Sequence, residues 1–316
     1  MADEKRKIMV SVVCNAYNHG PYIKDALDGF VKQKTNFGYE VLIHDDASTD
    51  NTAAVIREYE EKYPGLIKPI YQKENQYQKG VDIMAVYHLP RLKGKFVALC
   101  EGDDYWTDPL KLQKQYDAMV KHPEVDICAH AVTQIHAVSH KKMCIIAPCS
   151  TEAVIPVEDV ILGGGGFVAT NSLLFRRELL DNPPQFRKKC LLDYSLQIQG
   201  AIRGGMLYLP DNMAVYRAFI PGSWTSRMGN LEFNKQQRKK VNDMLENLNC
   251  ETGGKYKIYI EKAKDMSEFT SLELSWKYSE IRHGKLRWMY NEKPFLWKCK
   301  ARIKEALLFL RRYVIK

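Results

Sequence analysis

Residues 8–14 (IMVSVVC) are a short run rich in β-branched apolar side chains, the pattern of a strand buried on both faces. The turn-rich stretch NAYNHGP (15–21) ends it. Over residues 22–33 the apolar positions Ile23, Ala26, Leu27, Phe30 and Val31 then share one helical face. The alternation repeats. Residues 39–44 (YEVLIH) read as a strand, 45–51 as a polar loop, 52–63 as a helix and 66–71 as a third strand. Residues 81–93 read as a helix despite Pro90, 96–100 as a fourth strand, and 109–121 as a helix with proline in its first turn. Such alternation predicts an α/β fold, a doubly wound and mostly parallel sheet with helices on both faces.

From 125 to 216 the pattern is mixed. Four consecutive glycines occupy 163–166, but no Lys-Ser/Thr follows and no GxGxxG spacing is present, so they read as a flexible loop rather than a phosphate cradle. Residues 191–203 read as a helix carrying Asp193 near its start, and 206–210 as a strand. Beyond 231 the pattern turns helical and charged, over 233–248, 255–281 and 295–316. The expected organisation is an α/β domain over 1–230 and a helical, basic C-terminal extension over 231–316.

Parallel sheets of this kind bind ligands beyond the carboxyl ends of their strands. Tyr17, Asp45, Asp46 and the run Glu101-Gly102-Asp103-Asp104 each follow a predicted strand, so the topology alone expects them at one crevice. The acidic run admits three readings. It can hold a hard cation through oxygen ligands, do acid–base work, or form a solvated turn.

Composition narrows the partners. Hydrophobic residues are 45% and charged residues 27% of the 316, which suits a sizeable core. No apolar run approaches the ~18 residues of a membrane span, and the first residues do not resemble a secretory leader, so a cytoplasmic location is expected. The eight cysteines form no CxxC pair and read as reduced core residues. Of the net charge of +9, the last 22 residues hold +6, since seven basic residues there face only Glu305. This argues against a nucleic-acid-binding body and for a basic tail. In that tail Leu296, Cys299, Ile303, Ala306, Leu307, Leu310 and Val314 recur at helical spacing, with Trp297, Phe309 and Tyr313 beside them. Such a helix suits an anionic membrane surface, and equally packing on its own domain or in a homodimer.

The stretches VSVVCNAYNHGPYI, EVLIHDDASTDNT, FVALCEGDDYWTDPLKLQKQ, LLDYSLQIQGAIRGG and VYRAFIPGSW, together spanning residues 8–228, resemble family 2 glycosyltransferases of the GT-A fold, of the bacterial polysaccharide-synthesis type. The resemblance implies an inverting transfer of a hexose-type sugar from a nucleotide-sugar, usually a UDP-sugar, to a saccharide hydroxyl. The acceptor would be lipid-linked, as in capsular or surface polysaccharide synthesis at the inner face of a membrane. It implies that Tyr17 lies against the base with Asn15 beside it, that Asp46 accepts a hydrogen bond from the base, and that Glu101 meets the ribose. Asp103 would hold Mn²⁺ or Mg²⁺ on the diphosphate, Asp104 would lie by the donor sugar or metal, and Asp193 would be the base. Two departures stand out. Glu101 replaces the more usual Asp, and Phe219 stands where a His ligand often follows Tyr-Arg, which leaves Arg217 as a candidate diphosphate contact. Trp106 and Trp224 follow motifs near the crevice and are candidates for stacking on an acceptor sugar, with core packing as the alternative. A sugar-nucleotide nucleotidyltransferase would need a basic Gly-rich loop after the first strand, which NAYNHGP lacks. A non-catalytic sugar- or nucleotide-binding protein would have no need of the full carboxylate set.

Overall fold

The computed structural model describes residues 6–314, with side chains through Leu307. The chain divides after Ser226 into two compact units. In the first, β1 (Ile8–Ala16), α1 (Ile23–Val31), β2 (Gly38–Asp45), α2 (Thr52–Lys62), β3 (Ile67–Tyr71) and β4 (Phe96–Leu99) follow the alternation read from the sequence. β1 lies between β2 and β4 and is parallel to both, with β3 outside β2. Val10, Val12 and Cys14 are fully buried, as are Ile43 and Ala98 beside them. Burying a branched side chain of this size contributes ~1.5–3 kcal/mol, which is why this face of the strands is apolar.

The sheet continues through shorter elements. These are β5 (Tyr105–Trp106), α3 (Lys111–Lys121), β6 (Ile127–His136), β7 (Lys142–Ile146), β8 (Ala153–Ile155), α4 (Val157–Gly163), β9 (Leu174–Arg176), α5 (Gln185–Lys188), α6 (Asp193–Ala201), β10 (Met206–Ala218) and α7 (Trp224–Arg227). The strand order is β3-β2-β1-β4-β9-β6-β10-β5, with β7 beside β6 and β8 beside β10. The long ladders, β1 with β2 and β6 with β10, are parallel; β5, β7, β8 and β9 join by short antiparallel pairings. Gly29 lets α1 come close to β5, because a Cβ there would lie 2.8 Å from the Trp106 carbonyl oxygen.

Three expectations need correction. Residues 81–93 are not one α-helix. A π-helical turn, Met84–His88, passes into a 3₁₀ turn, Leu89–Arg91, where Pro90 has no N–H to continue an α-helical ladder. The strand expected over 206–210 runs on to Ala218, past register shifts between Leu209 and Ala214, and so carries Arg217 to the acidic loop after β4. Cys14, Cys100, Cys128 and Cys190 are buried as expected, but Cys144 and Cys250 are exposed.

The second unit comprises α8 (Leu231–Glu251), α9 (Lys257–Leu274), α10 (Tyr278–His283), α11 (Arg287–Glu292) and α12 (Phe295–Val314). The Asn230 side chain caps α8 by accepting from the N–H groups of Glu232 and Phe233. The helix expected over 255–281 breaks at Trp276, whose φ of 55° is left-handed. Lys277 N–H donates to the Leu272 carbonyl (2.9 Å) and Trp276 N–H to that of Glu273 (3.0 Å), a Schellman ending that stops α9 and turns the chain into α10. A small core gathers Phe269, Tyr278, Ile281, Leu286, Tyr290 and Ala301, with Trp297 against it. Trp297 and Ala301 are thus the packed side of α12. Phe295 and Leu296 are 77% and 74% exposed, and Ile303 and Leu307 are exposed as well. The stripe read from the sequence is therefore not the face that packs in this unit. The side chains of Phe309, Leu310, Tyr313 and Val314 lie outside the described residues. Among the described residues no helix is long and apolar enough to cross a membrane.

Candidate functional site

Parallel register brings three strand ends to one edge. Asn15 is level with His44, Ala16 with Asp45, and Val13 with Leu99. The loops leaving that edge are tied to one another by main-chain bonds. Asp46 N–H donates to the Ala16 carbonyl (2.9 Å), and Gly102 N–H to the Asn15 carbonyl (2.9 Å). Gly102 is required for the close packing of the acidic loop, since a Cβ would lie 2.8 Å from Ile23 Cδ1 and 2.9 Å from His19 Nδ1.

On this frame Glu101, Asp103 and Asp104 crowd together. Asp104 is buried and accepts the Arg217 main-chain N–H at 2.8 Å. The Asp103 carboxylate lies 3.7 Å from His19 Nε2. Asn15 Nδ2 lies 3.5 Å from Glu101 Oε1. Burial, then the charges of Asp193 and Asp103, push Glu101 up to about 8. Burial and the Asp103 charge push Asp104 well above the usual carboxylate range, with Arg217 opposing. Asp193, in the first turn of α6, lies near enough for its charge to raise Glu101. Its side chain is open to solvent, and the Thr170 hydroxyl donates to its Oδ2. Desolvation by the surrounding protein raises its pKa, while the Thr170 hydrogen bond and the Arg187 charge oppose the rise.

These are oxygen donors short of positive charge, the chemistry a hard divalent cation satisfies. Among the described residues no three or more His, Cys, Asp or Glu side chains converge on an ion position. A cation with one or two protein carboxylates, completed by substrate phosphates, is the usual habit of Mg²⁺, and this donor set is chemically compatible with it.

Three expected contacts are placed differently. Arg217 is buried. Its guanidinium donates to the Asp103 carbonyl (2.8 Å), pairs with Asp25, and lies 4.4 Å over the Tyr105 ring. It is committed to clamping the acidic loop rather than reaching into the crevice. Trp106 is buried in the core, edge-on to Phe30 and donating to the Asn171 carbonyl (2.9 Å), so it offers no face to an acceptor. Asp46 is only 3% exposed, and its carboxylate accepts the N–H groups of Gln76 (2.7 Å) and Tyr77 (3.0 Å). In this structure it orders the loop after β3. At the start of α2, Asp50 accepts the Thr52 N–H (2.9 Å), while Ser48 accepts that of Asn18. Tyr17 and Trp224 are exposed, at 39% and 40%, and Phe219 stacks on His136.

The sequence reading missed Asp25, His88, Thr170 and Arg187. Asp25 and Arg217 are 192 residues apart, and neither Asp25 nor Thr170 lies in a residue pattern that signals a site.

The family described as Glycosyl transferase family 2 matches residues 11–181. The uncharacterized protein Rv1520 of Mycobacterium tuberculosis is 40% identical over 218 residues, covering 69% of this chain; the chain spans only 61% of that relative's length. An Escherichia coli protein named UDP-Glc:alpha-D-GlcNAc-diphosphoundecaprenol beta-1,3-glucosyltransferase WfgD is 30% identical over 114 residues, 36% of this chain and 42% of its own. The crystal structure of S. aureus TarS 1-349 in complex with UDP superposes with a TM-score of 0.60 at 17% identity, covering 89% of this chain and 76% of that one. Strand-end carboxylates on a GT-A sheet, the family match and these relatives agree: the chain belongs to glycosyl transferase family 2.

Proposed function

We propose that this chain is an inverting glycosyltransferase that moves a hexose-type sugar from a UDP-sugar to a hydroxyl of a lipid-linked saccharide, in surface polysaccharide synthesis. The observation that carries the reading is the Glu101-Asp103-Asp104 loop at the parallel strand ends, with the Asp193 carboxylate near enough for its charge to raise Glu101. A base works best when its pKa approaches the working pH. The Thr170 hydrogen bond to Oδ2 holds the group and leaves Oδ1 to take the acceptor's proton. The acceptor oxygen attacks the anomeric carbon as the bond to the diphosphate oxygen breaks, so the configuration inverts and UDP leaves with the electron pair. Asp103, with Asp104 or Glu101 beside it, would hold Mn²⁺ or Mg²⁺, which when bound supplies positive charge to the leaving diphosphate. Tyr17 and Asn15 would lie on the nucleotide side, and exposed Trp224 on the acceptor side. The name of WfgD supports a UDP-sugar and a diphosphoundecaprenol-linked acceptor for this chain, and the TarS complex supports UDP. The exposed apolar and basic side chains of α12 support a place on an anionic membrane surface.

Calorimetric titration of UDP, with and without Mn²⁺, into wild type and Asp103→Ala tests the donor half. Metal-dependent binding that the variant loses is the expected result. UDP binding indifferent to both would remove the cation from Asp103, and no binding in either condition would exclude a UDP donor.

A further inference from the structure

Beneath the crevice lie two buried histidines that the proposed chemistry does not use. His44, on β2, and His88, at the end of the π-helical turn, are fully buried, with ring centroids 6.0 Å apart. Tyr87 from the same turn lies against His44 at 4.9 Å. Each ring gives one nitrogen to a residue at the strand ends. His44 Nε2 lies 3.2 Å from Asp46 Oδ1, and His88 Nε2 lies 2.9 Å from Asn15 Oδ1. In both rings Nδ1 is buried with no hydrogen-bond partner.

The His88 contact has a set polarity. Burial, then the nearby charges of His44 and Arg91, lower its pKa to about 3, so the ring is neutral and carries one N–H. Nδ1 meets no acceptor, so the hydrogen belongs on Nε2, which donates to Asn15 Oδ1. An amide held by its oxygen must present its NH₂ on the other side. There Nδ2 points to Glu101 Oε1. The main chain joins the same two loops through the bond from Gly102 N–H to the Asn15 carbonyl. The side-chain relay and the main-chain bond together leave the Glu101 carboxyl little freedom to swing.

We propose that His88 is a positioning residue: it locks the Asn15 amide so that it donates to Glu101, and thereby fixes the Glu101 carboxyl that faces the donor nucleotide. The role of Glu101 rests on the nucleotide-sugar reading above, but the lock can be read without any nucleotide.

The test compares wild type, His88→Leu and His88→Gln in two measurements. One is the Asn15 side-chain amide resonance, assigned with Asn15→Ala. The other is UDP affinity by calorimetry. A glutamine Nε2 can donate to Asn15 as the imidazole does, and leucine cannot. The expected result is that leucine shifts the Asn15 resonance and weakens UDP binding about tenfold, the scale of one net hydrogen bond. Glutamine should bring both back, the affinity to within about threefold of wild type. Adding His88→Leu to Asn15→Ala should cost little more than Asn15→Ala alone, because the relay is already broken. An Asn15 resonance unmoved by leucine, a glutamine variant no better than leucine, or fully additive losses would each overturn the proposal. If His88→Leu is not recovered folded, His88→Asn, whose amide is too short to reach Asn15, takes its place. Failure of wild type to bind UDP would remove the donor reading and leave the resonance to decide the lock.

Discussion

Asp193 shows how one side chain trades stability for chemistry. Its folded pKa is above that of an unfolded aspartate, so the folded state holds its proton more tightly and stability falls as pH rises through the window between the two values. Asp193→Asn should therefore raise Tm slightly at neutral pH. It should also lower kcat by about 10²–10⁴-fold, the usual worth of a general base, while UDP affinity stays near wild type. An Asn variant with near-normal turnover would remove the base role. In the parent, the acid limb of kcat/KM should sit above the ordinary aspartate pKa of ~3.9. Lys111 makes a second prediction far from the chemistry. It is fully buried, 4.0 Å over the Trp106 ring, donates to Gln115 at 2.7 Å, and burial lowers its pKa to about 7. The unfolded chain keeps that lysine protonated up to ~10.4, so it binds more protons than the folded chain between about pH 7 and that value. Wild type should gain stability on Lys111→Met as pH rises through this window, read as the difference between their urea midpoints. A difference that does not change with pH would mean the ammonium is not desolvated. Nothing in the sequence marks Lys111 as buried, because DPLKLQKQ reads as a mixed helix in which either of its two lysines could face solvent.

Among the elements, α1 and β10 show how packing makes the site. Ile23, Ala26, Leu27 and Phe30 were legible as the buried face of α1 from spacing alone. Its distance from β5 was not, since Gly29 works through backbone contact with Trp106. Gly29→Ala should cost about 1–3 kcal/mol, the usual penalty for overpacking. By shifting α1 it should also disturb Ile23 and His19 against Gly102 and weaken UDP binding. A variant as stable as wild type by denaturant midpoint would show that the helix has room. β10 was read as ending at Pro210. Register shifts let it pass that proline and deliver Arg217 to Asp25, Tyr105 and the acidic loop. Nothing local predicts a strand that continues through Pro210-Asp211-Asn212, because the pairing with β6 that sustains it is a tertiary contact. The turn that presents His88 was hidden for a related reason: π and 3₁₀ turns in succession leave no 3.6-residue periodicity to read.

At the scale of the whole molecule, the two units carry different surfaces. In the second, α12 packs Trp297 against the small core, buries Ala301 and exposes Phe295, Leu296, Ile303 and Leu307 among basic residues. If that face meets a membrane, replacing Leu296, Ile303 and Leu307 with Ser should abolish co-sedimentation with anionic vesicles, leaving UDP affinity unchanged. Equal pelleting by parent and variant would redirect the face to a protein partner. The sequence by itself determined what depends on near neighbours: the strand–helix alternation, the buried runs, the acidic loop at a strand end and the excess of positive charge in the tail. Hydrophobic periodicity and turn chemistry act over a few residues, so they are written in order along the chain. Tertiary structure alone decided which charges are already satisfied. Arg217 belongs to Asp25, Asp46 to the 76–77 loop and Trp106 to the core, while the Asp193 charge raises Glu101. A side chain's partners and its desolvation depend on segments that only folding brings together, and no local pattern encodes them.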